Sequence, residues 1–339
     1  MSNHTCNEIW IVLDSRQFGG IETYVAQLAN GLVAHNQACR VLLIEKYTPL
    51  SPLCEKLTAL GIPYQFLGIS SKTALKHLCQ LVNRDKPIAL HANGYKANLI
   101  AKATRLMTGV RLISTYHAGE TPKGRMWLYD WLDRTSAFIA NHAVVVSQAI
   151  GRKIPSSTRY IENFVDSHTI EAKHGEQIAF VGRLSEEKAP DRYLRLAQKF
   201  PLHTFHLYGT GDLADKLATH APQNCQFHGH QNDMSQVWPS ISLIVICSHY
   251  EGLPMVALEA MARGIIVIAT RVGELPQLIV PHQNGYLADD EEQLAVCVQE
   301  WLSLSFTQQK LLREHAINTI RSNYSQQSII PKMLALYSK

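Results

Sequence analysis

Two glutamates, Glu251 and Glu259, stand eight positions apart in the segment from Cys247 to Gly264. An apolar run ends at Cys247, and Pro254, a residue favoured in the first turn of a helix, predicts that a helix begins there. This spacing predicts Glu251 on a loop beside the helix and Glu259 inside it. Carboxylates accept hydrogen bonds from paired hydroxyls, so the pair suits two polyols such as a sugar and a ribose. Capping of the helix is the alternative role for Glu251.

A second cluster pairs a glycine with two cations. The predicted strand 177–181 ends directly in Gly182, and Arg183 and Lys188 follow five positions apart. Two cations that converge with a helix N-terminus suit a diphosphate, because both carry positive charge and hydrogen-bond donors. Ordinary solvated surface charges are the alternative interpretation of this motif.

A third cluster is the pair Gly19 and Gly20, which follows the predicted strand 9–14 and opens a helix. Glycines there let backbone N–H groups at the positive end of a helix approach a phosphate. The motif is not GxGxxG, and a tight strand–helix turn remains the alternative.

The elements that must position these residues alternate between short apolar runs and helical patterns. This alternation predicts an α/β fold of parallel sheets covered on both faces, with ligands at the carboxyl ends of the strands. The polar segment 159–175 interrupts the pattern, so we predict two Rossmann-like domains, residues 1–164 and 165–321, with a C-terminal helix at about 322–339 that packs back on the first. The expected strands in the two halves are 9–14, 40–45, 64–67, 88–91, 111–115 and 143–147, then 177–181, 204–208, 226–228, 243–247 and 265–269.

Composition limits the class of protein. The 339 residues are 46% hydrophobic and 18% charged, and no apolar run reaches the length of a membrane span. The first residues lack the layout of a signal peptide, and the seven cysteines contain no CxxC pair, so we expect reduced thiols and a cytoplasmic location. No HExxH motif or Asp-x-Asp pair is present, so no metal and no cofactor are predicted.

Charge is distributed unevenly along the chain. Residues 1–164 carry 18 Lys and Arg against 10 Asp and Glu, whereas residues 165–339 carry 14 against 18. The basic half favours an anionic acceptor or peripheral contact with an anionic membrane face, and an ordinary solvated surface is the alternative. An aromatic cluster, Trp127, Tyr129 and Trp131, is predicted to pack in the core or in an acceptor loop, with a membrane interface as the alternative.

Taken in order, these motifs resemble those of the retaining GT-B glycosyltransferases of family GT4. The family's Glu-x7-Glu, Gly-Arg-x4-Lys and N-terminal Gly-Gly motifs all have counterparts, and the matches extend over essentially the whole chain. In chain order they are Gly19-Gly20, Val146-Ser147, Gly182 to Lys188, Tyr208 to Asp212, Glu251 with Glu259, and Asn284 to Leu287.

The resemblance implies a GT-B fold with two parallel sheets facing a central cleft, and a sugar transferred with retention from a nucleotide-diphosphate donor, with UDP as the expected nucleotide. It also implies that His117, at the end of a predicted strand, contacts the donor sugar; His91 is a weaker candidate on the acceptor side. The implied catalytic residues are His117, Arg183, Lys188 and Glu251. The implied donor-binding residues are Gly19, Gly20, Gly182, Arg183, Lys188, Gly209, Glu251, Gly252, Leu253, Pro254 and Glu259.

The predicted partners are a nucleotide sugar and a glycan or lipid-linked acceptor of bacterial surface polysaccharide or lipopolysaccharide synthesis, and not nucleic acid. Three other classes remain as alternatives. A sugar-nucleotide epimerase shares the architecture but needs further carboxylate and histidine acid–base groups. A nicotinamide oxidoreductase is disfavoured by the missing GxGxxG, and a non-enzymatic binding protein is the third.

Overall fold

The computed structural model describes residues 6–117, 124–167, 175–231 and 233–338. The chain forms two compact units, which we call the first unit (Met1–Phe164 with Gln326–Lys339) and the second unit (Val165–Ser325). The C-terminal return begins at Gln326, later than the expected position of about 322. The reason is local, because Val165 pairs with Ser325 and its N–H donates to the carbonyl of Tyr324 at 3.0 Å, which holds this stretch in the second unit.

The first unit is built around a parallel sheet whose strands follow the order β3-β2-β1-β4-β5-β6-β7. Its strands are β1 (Ile9–Leu13), β2 (Cys39–Glu45), β3 (Tyr64–Gly68), β4 (Ala89–Asn93), β5 (Leu112–Tyr116), β6 (His142–Val145) and β7 (Thr158–Tyr160). Its helices are α1 (Gly20–Ala34), α2 (Pro52–Ala59), α3 (Ser71–Asp85), α4 (Tyr95–Thr108), α5 (Arg125–Thr135), α6 (Gln148–Gly151) and α13 (Gln326–Tyr337).

Strand β1 shows why this sheet is covered on both faces. All five of its residues are buried, and successive side chains enter different cores. Ile9, Ile11 and Leu13 belong to one core, whereas Trp10 and Val12 belong to the other. Alternate side chains of a strand point to opposite faces, so a continuous apolar run requires helices on both sides.

Helix α13 completes the first of these cores. A Cβ added at Gly31 of α1 would lie 2.6 Å from Ile330, so the glycine allows the two helices to approach closely. At the end of α13, the Tyr337 hydroxyl lies 2.5 Å from Nδ1 of His91, which is fully buried in β4. The C-terminal helix therefore packs as part of the first unit.

The second unit repeats the plan with a parallel sheet in the order β10-β9-β8-β11-β12-β13. Its strands are β8 (Gln177–Val181), β9 (Phe205–Tyr208), β10 (Cys225–Gly229), β11 (Ile241–Ile246), β12 (Ile266–Thr270) and β13 (Tyr286–Ala288). Its helices are α7 (Pro190–Gln198), α8 (Ala214–His220), α9 (Met255–Ala262), α10 (Leu275–Leu278), α11 (Glu291–Ser303) and α12 (Phe306–Asn323).

The predicted core packing of the aromatic cluster is wrong. Trp127, Tyr129 and Trp131 lie on helix α5 and are 50%, 48% and 49% exposed. Within the described ranges, no helix is long and apolar enough to cross a membrane. All seven cysteines are free thiols.

Candidate functional site

The strand order of the second unit locates a ligand crevice. Strands β8 and β11 are neighbours, but the chain continues from β8 to β9 on one side and from β11 to β12 on the other. In open α/β sheets, ligands bind outside the carboxyl ends of the strands at such a switch point. Gly182 follows β8 directly, and Glu251 lies on the loop after β11. The topology thus brings two of the motifs to one place.

Gly182 and Gly209 form a close backbone contact at this edge. The N–H of Gly182 donates to the carbonyl of Tyr208 at 2.9 Å. A Cβ added at Gly209 would lie 1.9 Å from the carbonyl oxygen of Gly182. Gly209 is therefore required by packing between two strand-end turns, whatever it contacts in a ligand.

Lys188 and Glu251 form the central ion pair of this crevice. Nζ of Lys188 donates to both carboxylate oxygens of Glu251 at 2.7 Å, and the Ser248 hydroxyl donates to Oε1 at 2.6 Å. The glutamate is only 6% exposed. Such a buried carboxylate needs its partners, because desolvation of an unpaired charge is costly. The pair therefore holds both side chains in one position.

Arg183 is more exposed to solvent at the same edge of the sheet. Its side chain is 70% exposed, and Nη1 lies 3.7 Å from Glu187 Oε1. Burial acts to raise the pKa of Glu187, but the hydrogen bond from Ser185 and the nearby cations lower it. The carbonyl of Glu187 also accepts from the N–H of His249, which joins this turn to the loop after β11.

The cations are thus arranged differently from the simplest interpretation of the sequence. Arg183 and Lys188 each face a carboxylate, so neither is an isolated positive charge. An incoming diphosphate would compete with Glu187 and Glu251 for these donors. Sequence spacing could not show this, because Lys188 and Glu251 are 63 positions apart.

The remaining donor-site candidates surround the start of helix α9. Leu253 and Pro254 are buried, and the carbonyl of Gly252 accepts from the N–H of Glu274 at 2.9 Å. Gly273 has a φ of +57°, and a Cβ there would lie 2.4 Å from the Gly252 carbonyl oxygen. This tight approach connects the loop after β11 to the end of β12.

Glu259 lies in the middle of α9 and is partly exposed, whereas its neighbours Leu258 and Ala260 are buried. Its backbone carbonyl accepts from Arg263 Nη1 at 2.7 Å. The role of Glu259 as a ribose contact remains a prediction.

The first unit has its own switch point, between β1 and β4. Gly19 and Gly20 come after β1, and α1 begins at Gly20. The N–H of Gly19 donates to Oε2 of Glu22 at 3.0 Å, which forms a capping interaction. A phosphate at this helix end would therefore have to displace a carboxylate from that N–H. No atom lies within 4 Å of a Cβ added at Gly20, so this glycine borders open space.

The sequence motifs missed a polar network at this second crevice. Lys96, at the start of α4, donates from Nζ to Asp14 Oδ2 and Glu45 Oε1, both at 2.9 Å. Burial alone would lower the pKa of Lys96, but these hydrogen bonds raise it. Tyr47 donates to the same Asp14 carboxylate at 3.0 Å. Their positions in the sequence could have identified them, since these residues lie at or just beyond strand ends.

His117 follows β5 at the same edge of the sheet. Asn93 Nδ2 donates to the carbonyl of His91. This hydrogen bond orients the Asn93 side chain so that its Oδ1 lies 2.9 Å from His117 Nε2. Because Oδ1 only accepts, Nε2 carries the proton and Nδ1 is left as an acceptor. Burial lowers the pKa of His117 to about 3, so the imidazole is neutral at physiological pH. The following residues of this motif, 118–120, lie outside the described residues.

The acceptor-side hypothesis for His91 is wrong. This histidine is fully buried, and its ring nitrogens are occupied by Tyr337 and by Thr115 at 2.7 Å. Burial lowers its pKa to about 3. His91 therefore links β4 to β5 and to the C-terminal helix, and contributes to packing. Among the described residues, no group of three or more His, Cys, Asp and Glu side chains could hold a metal ion.

Comparisons with known families cover most of the chain. Residues 165–321 match the family described as glycosyl transferases group 1, and residues 19–158 match the glycosyl transferase 4-like domain. The two matches fall in the second and first units respectively.

Curated relatives are similar over parts of their length. A D-inositol 3-phosphate glycosyltransferase of Mycobacterium ulcerans is 28% identical over 176 residues, which cover 48% of this chain and 38% of the relative. A sulfoquinovosyl transferase of Arabidopsis thaliana is 26% identical over a match that covers 66% of this chain and 50% of the relative. An O-antigen biosynthesis glycosyltransferase of Escherichia coli is 30% identical over 34% of each chain. The chain thus spans half or less of these relatives.

Solved structures resemble the whole chain. Anabaena HepE in complex with UDP and glucose has a TM-score of 0.82 at 17% identity, and the match covers 96% of this chain and 98% of the HepE chain. The lipopolysaccharide outer core galactosyltransferase WaaB, in its apo form, has a TM-score of 0.70 at 17% identity and covers 97% and 98%. The family matches and the fold agree with the order of the sequence motifs. The chain therefore belongs to the group 1 glycosyltransferases of family GT4, with the GT-B fold.

Proposed function

We propose that this protein is a glycosyltransferase that moves a sugar from a nucleoside-diphosphate sugar to an acceptor hydroxyl. The observation that carries the proposal is the crevice at the β8–β11 switch point, where Lys188, Glu251 and the Gly182–Gly209 contact meet. UDP is the proposed nucleotide, supported by the similarity of the fold to HepE, which is described in complex with UDP and glucose.

In this proposal, the second unit binds the donor. Lys188 and Arg183 donate to the diphosphate and stabilise the negative charge that develops on it as the sugar leaves, which is a major source of catalysis in group transfer. Glu251 and the loop of Gly252, Leu253 and Pro254 bind the transferred sugar. Glu259 accepts hydrogen bonds from the ribose hydroxyls.

The reaction is proposed to retain the configuration at the anomeric carbon. The acceptor oxygen attacks from the face that the diphosphate leaves; the bond from the anomeric carbon to the phosphate oxygen breaks, and the diphosphate takes the acceptor's proton. His117 suits a hydroxyl of the reacting sugar, since its unprotonated Nδ1 is a hydrogen-bond acceptor. Gly19 and Gly20 are likewise proposed to contact the donor, and Gly20 borders open space.

The acceptor is proposed to be a glycan or a lipid-linked saccharide of bacterial surface polysaccharide synthesis. The similarity to an O-antigen biosynthesis glycosyltransferase and to WaaB supports this class.

Replacing Glu259 with alanine is expected to weaken UDP binding by about tenfold to a hundredfold, because a hydrogen bond to a charged group contributes about 1.5–3 kcal/mol. Isothermal calorimetry on the purified variant measures this. Glu314→Ala, which alters a half-exposed carboxylate of α12, is the matched control and should bind like the wild type. No measurable UDP binding by the wild type, or equal affinity in Glu259→Ala, would contradict the assignment.

Transfer is expected to continue in excess EDTA. The proposed diphosphate site uses the cations Arg183 and Lys188, and the sequence lacks an Asp-x-Asp pair that would hold Mn²⁺ or Mg²⁺ on a diphosphate. Initial rates with and without the chelator should agree within a factor of about two. If EDTA abolishes activity and Mn²⁺ or Mg²⁺ restores it, the interpretation of the phosphate site is wrong.

A further inference from the structure

Helix α5 has its polar and apolar faces reversed relative to an ordinary surface helix. Its buried side chains include Asp133 at 2% exposure and Arg134 at 9%. Its large apolar side chains are exposed by 39% to 50%: Met126, Trp127, Leu128, Tyr129, Trp131 and Leu132. A helix on a core normally turns its apolar face inward, so the exposed face of α5 requires an explanation.

Polar contacts hold α5 to the first unit. Nζ of Lys102, on α4, lies 2.6 Å from Asp133 Oδ1, and the Asn98 amide donates to Oδ2 at 3.0 Å. Lys102 also donates to the Tyr116 hydroxyl at 3.0 Å. Burial lowers the pKa of Lys102 and raises that of Asp133, and each effect is opposed by the partner's charge. The helix is thus anchored by its charged face, which leaves its apolar face outward.

The outward face has the composition of a membrane interface. Trp127 and Trp131 stack with ring centroids 6.5 Å apart. Beside the helix, a shallow apolar pocket of about 370 Å³ between α4 and α5 continues the surface, and it includes Leu106 and Phe138, which are 71% and 74% exposed. Trp, Tyr and Leu are the side chains that interfacial helices insert at the boundary between headgroups and acyl chains.

This apolar face adjoins the crevice of the first unit. Tyr129 of α5 stacks on Tyr95, with centroids 6.4 Å apart at an angle of 19°. Tyr95 is the first residue of α4 and comes two positions after Asn93, which holds His117. A surface docked on α5 would therefore lie next to the polar strand ends of this unit.

The charge of the first unit complements an anionic surface. Its sequence carries 20 Lys and Arg against 10 Asp and Glu, whereas the second unit carries 12 against 18. Basic residues near an anionic leaflet contribute about 1 kcal/mol each, so the charge favours a bilayer with acidic lipids.

We propose that α5 docks on the interface of an anionic bilayer and holds the first unit there, so that its crevice receives an acceptor whose lipid end remains in the membrane. The docking follows from the exposed aromatic face and the charge of the unit; the acceptor class rests on the proposed transferase function.

Vesicle flotation tests the docking. The wild type should float with vesicles that contain about a third phosphatidylglycerol, remain in solution with pure phosphatidylcholine, and dissociate as salt rises from about 0.1 M to about 1 M. Trp127→Gln/Trp131→Gln should reduce the partition coefficient at least about tenfold, since it removes the interfacial aromatics. Phe306→Gln/Leu311→Gln removes two exposed apolar side chains of α12 in the second unit and is the matched control, expected to float like the wild type.

The outcomes are distinct. A wild type that never floats with the anionic vesicles, or a tryptophan variant that floats equally, overturns the proposal. A wild-type dimer that the tryptophan substitutions make monomeric, without vesicle binding, assigns the face to a second copy of the chain and also overturns it. Calorimetry with UDP on the same samples should show unchanged affinity. Vesicle binding without UDP binding would contradict the transferase function and support the docking surface.

Discussion

Replacing Lys188 with alanine is expected to lower the turnover of sugar transfer by about a hundredfold or more. Removal of one preorganised donor from a developing anion has about this effect in other enzymes. Lys188 is held in the crevice by both oxygens of Glu251, so its ammonium is already positioned before the diphosphate arrives. Initial rates at saturating donor measure the effect, and Lys216→Ala, an exposed lysine of α8, is the matched control.

Arg183→Ala and the double variant Arg183→Ala/Lys188→Ala complete a double-mutant cycle with Lys188→Ala. If both cations act on one leaving diphosphate, the double variant should lose less than the sum of the two single effects, because groups that act as a unit are non-additive. Lys188→Arg should recover only part of the rate, since a planar guanidinium does not replace a compact ammonium between two carboxylate oxygens. Near-wild-type rates for Lys188→Ala would contradict this role and favour the alternative that Lys188 is an ordinary charged residue that does not act in transfer.

Lys102→Met is expected to destabilise the protein by about 3–5 kcal/mol, because it leaves Asp133 as an uncompensated buried charge. Lys102 and Asp133 are 2% and 3% exposed in their side chains, so water cannot replace the lost partner. The double variant Lys102→Met/Asp133→Leu should regain part of the loss, since two apolar side chains have no charge to desolvate. Chemical unfolding followed by circular dichroism gives the free energies.

The control for this prediction is Lys76→Met, at an exposed position of α3, which should change stability by about 0.5 kcal/mol or less. A Lys102→Met variant as stable as this control would show that the buried pair does not anchor α5. The same variant should also alter vesicle flotation if the orientation of α5 depends on the pair.

Much of the fold follows from local pattern. Strand β8 ends at Val181, and Gly182 comes next, as the apolar run predicts. The strand–helix alternation likewise predicts parallel sheets, because a parallel connection needs a crossover that a helix supplies. The short strand β7 (Thr158–Tyr160) overlaps the start of the polar segment 159–175 and was not predicted, because it is too polar to be recognised from hydrophobic pattern alone.

Side-chain partners were beyond the reach of sequence pattern. Lys188 and Glu251, and likewise Lys96 and Asp14, come from distant segments that only the strand order makes neighbours. The aromatic cluster of α5 was misread because an apolar run carries no information on whether it faces the core. What decides its orientation is the buried contact between Lys102 and Asp133, which are 31 positions apart.

The most direct test incubates the protein with UDP-sugars, in the presence and absence of a lipid-linked saccharide acceptor, and follows both the free nucleotide and the fate of the sugar. We expect that UDP is released in step with a new glycosidic bond on the acceptor, that release without acceptor is slow, and that Lys188→Ala reduces both products together. Conversion of one UDP-sugar into another without release of UDP would contradict it and indicate an epimerase.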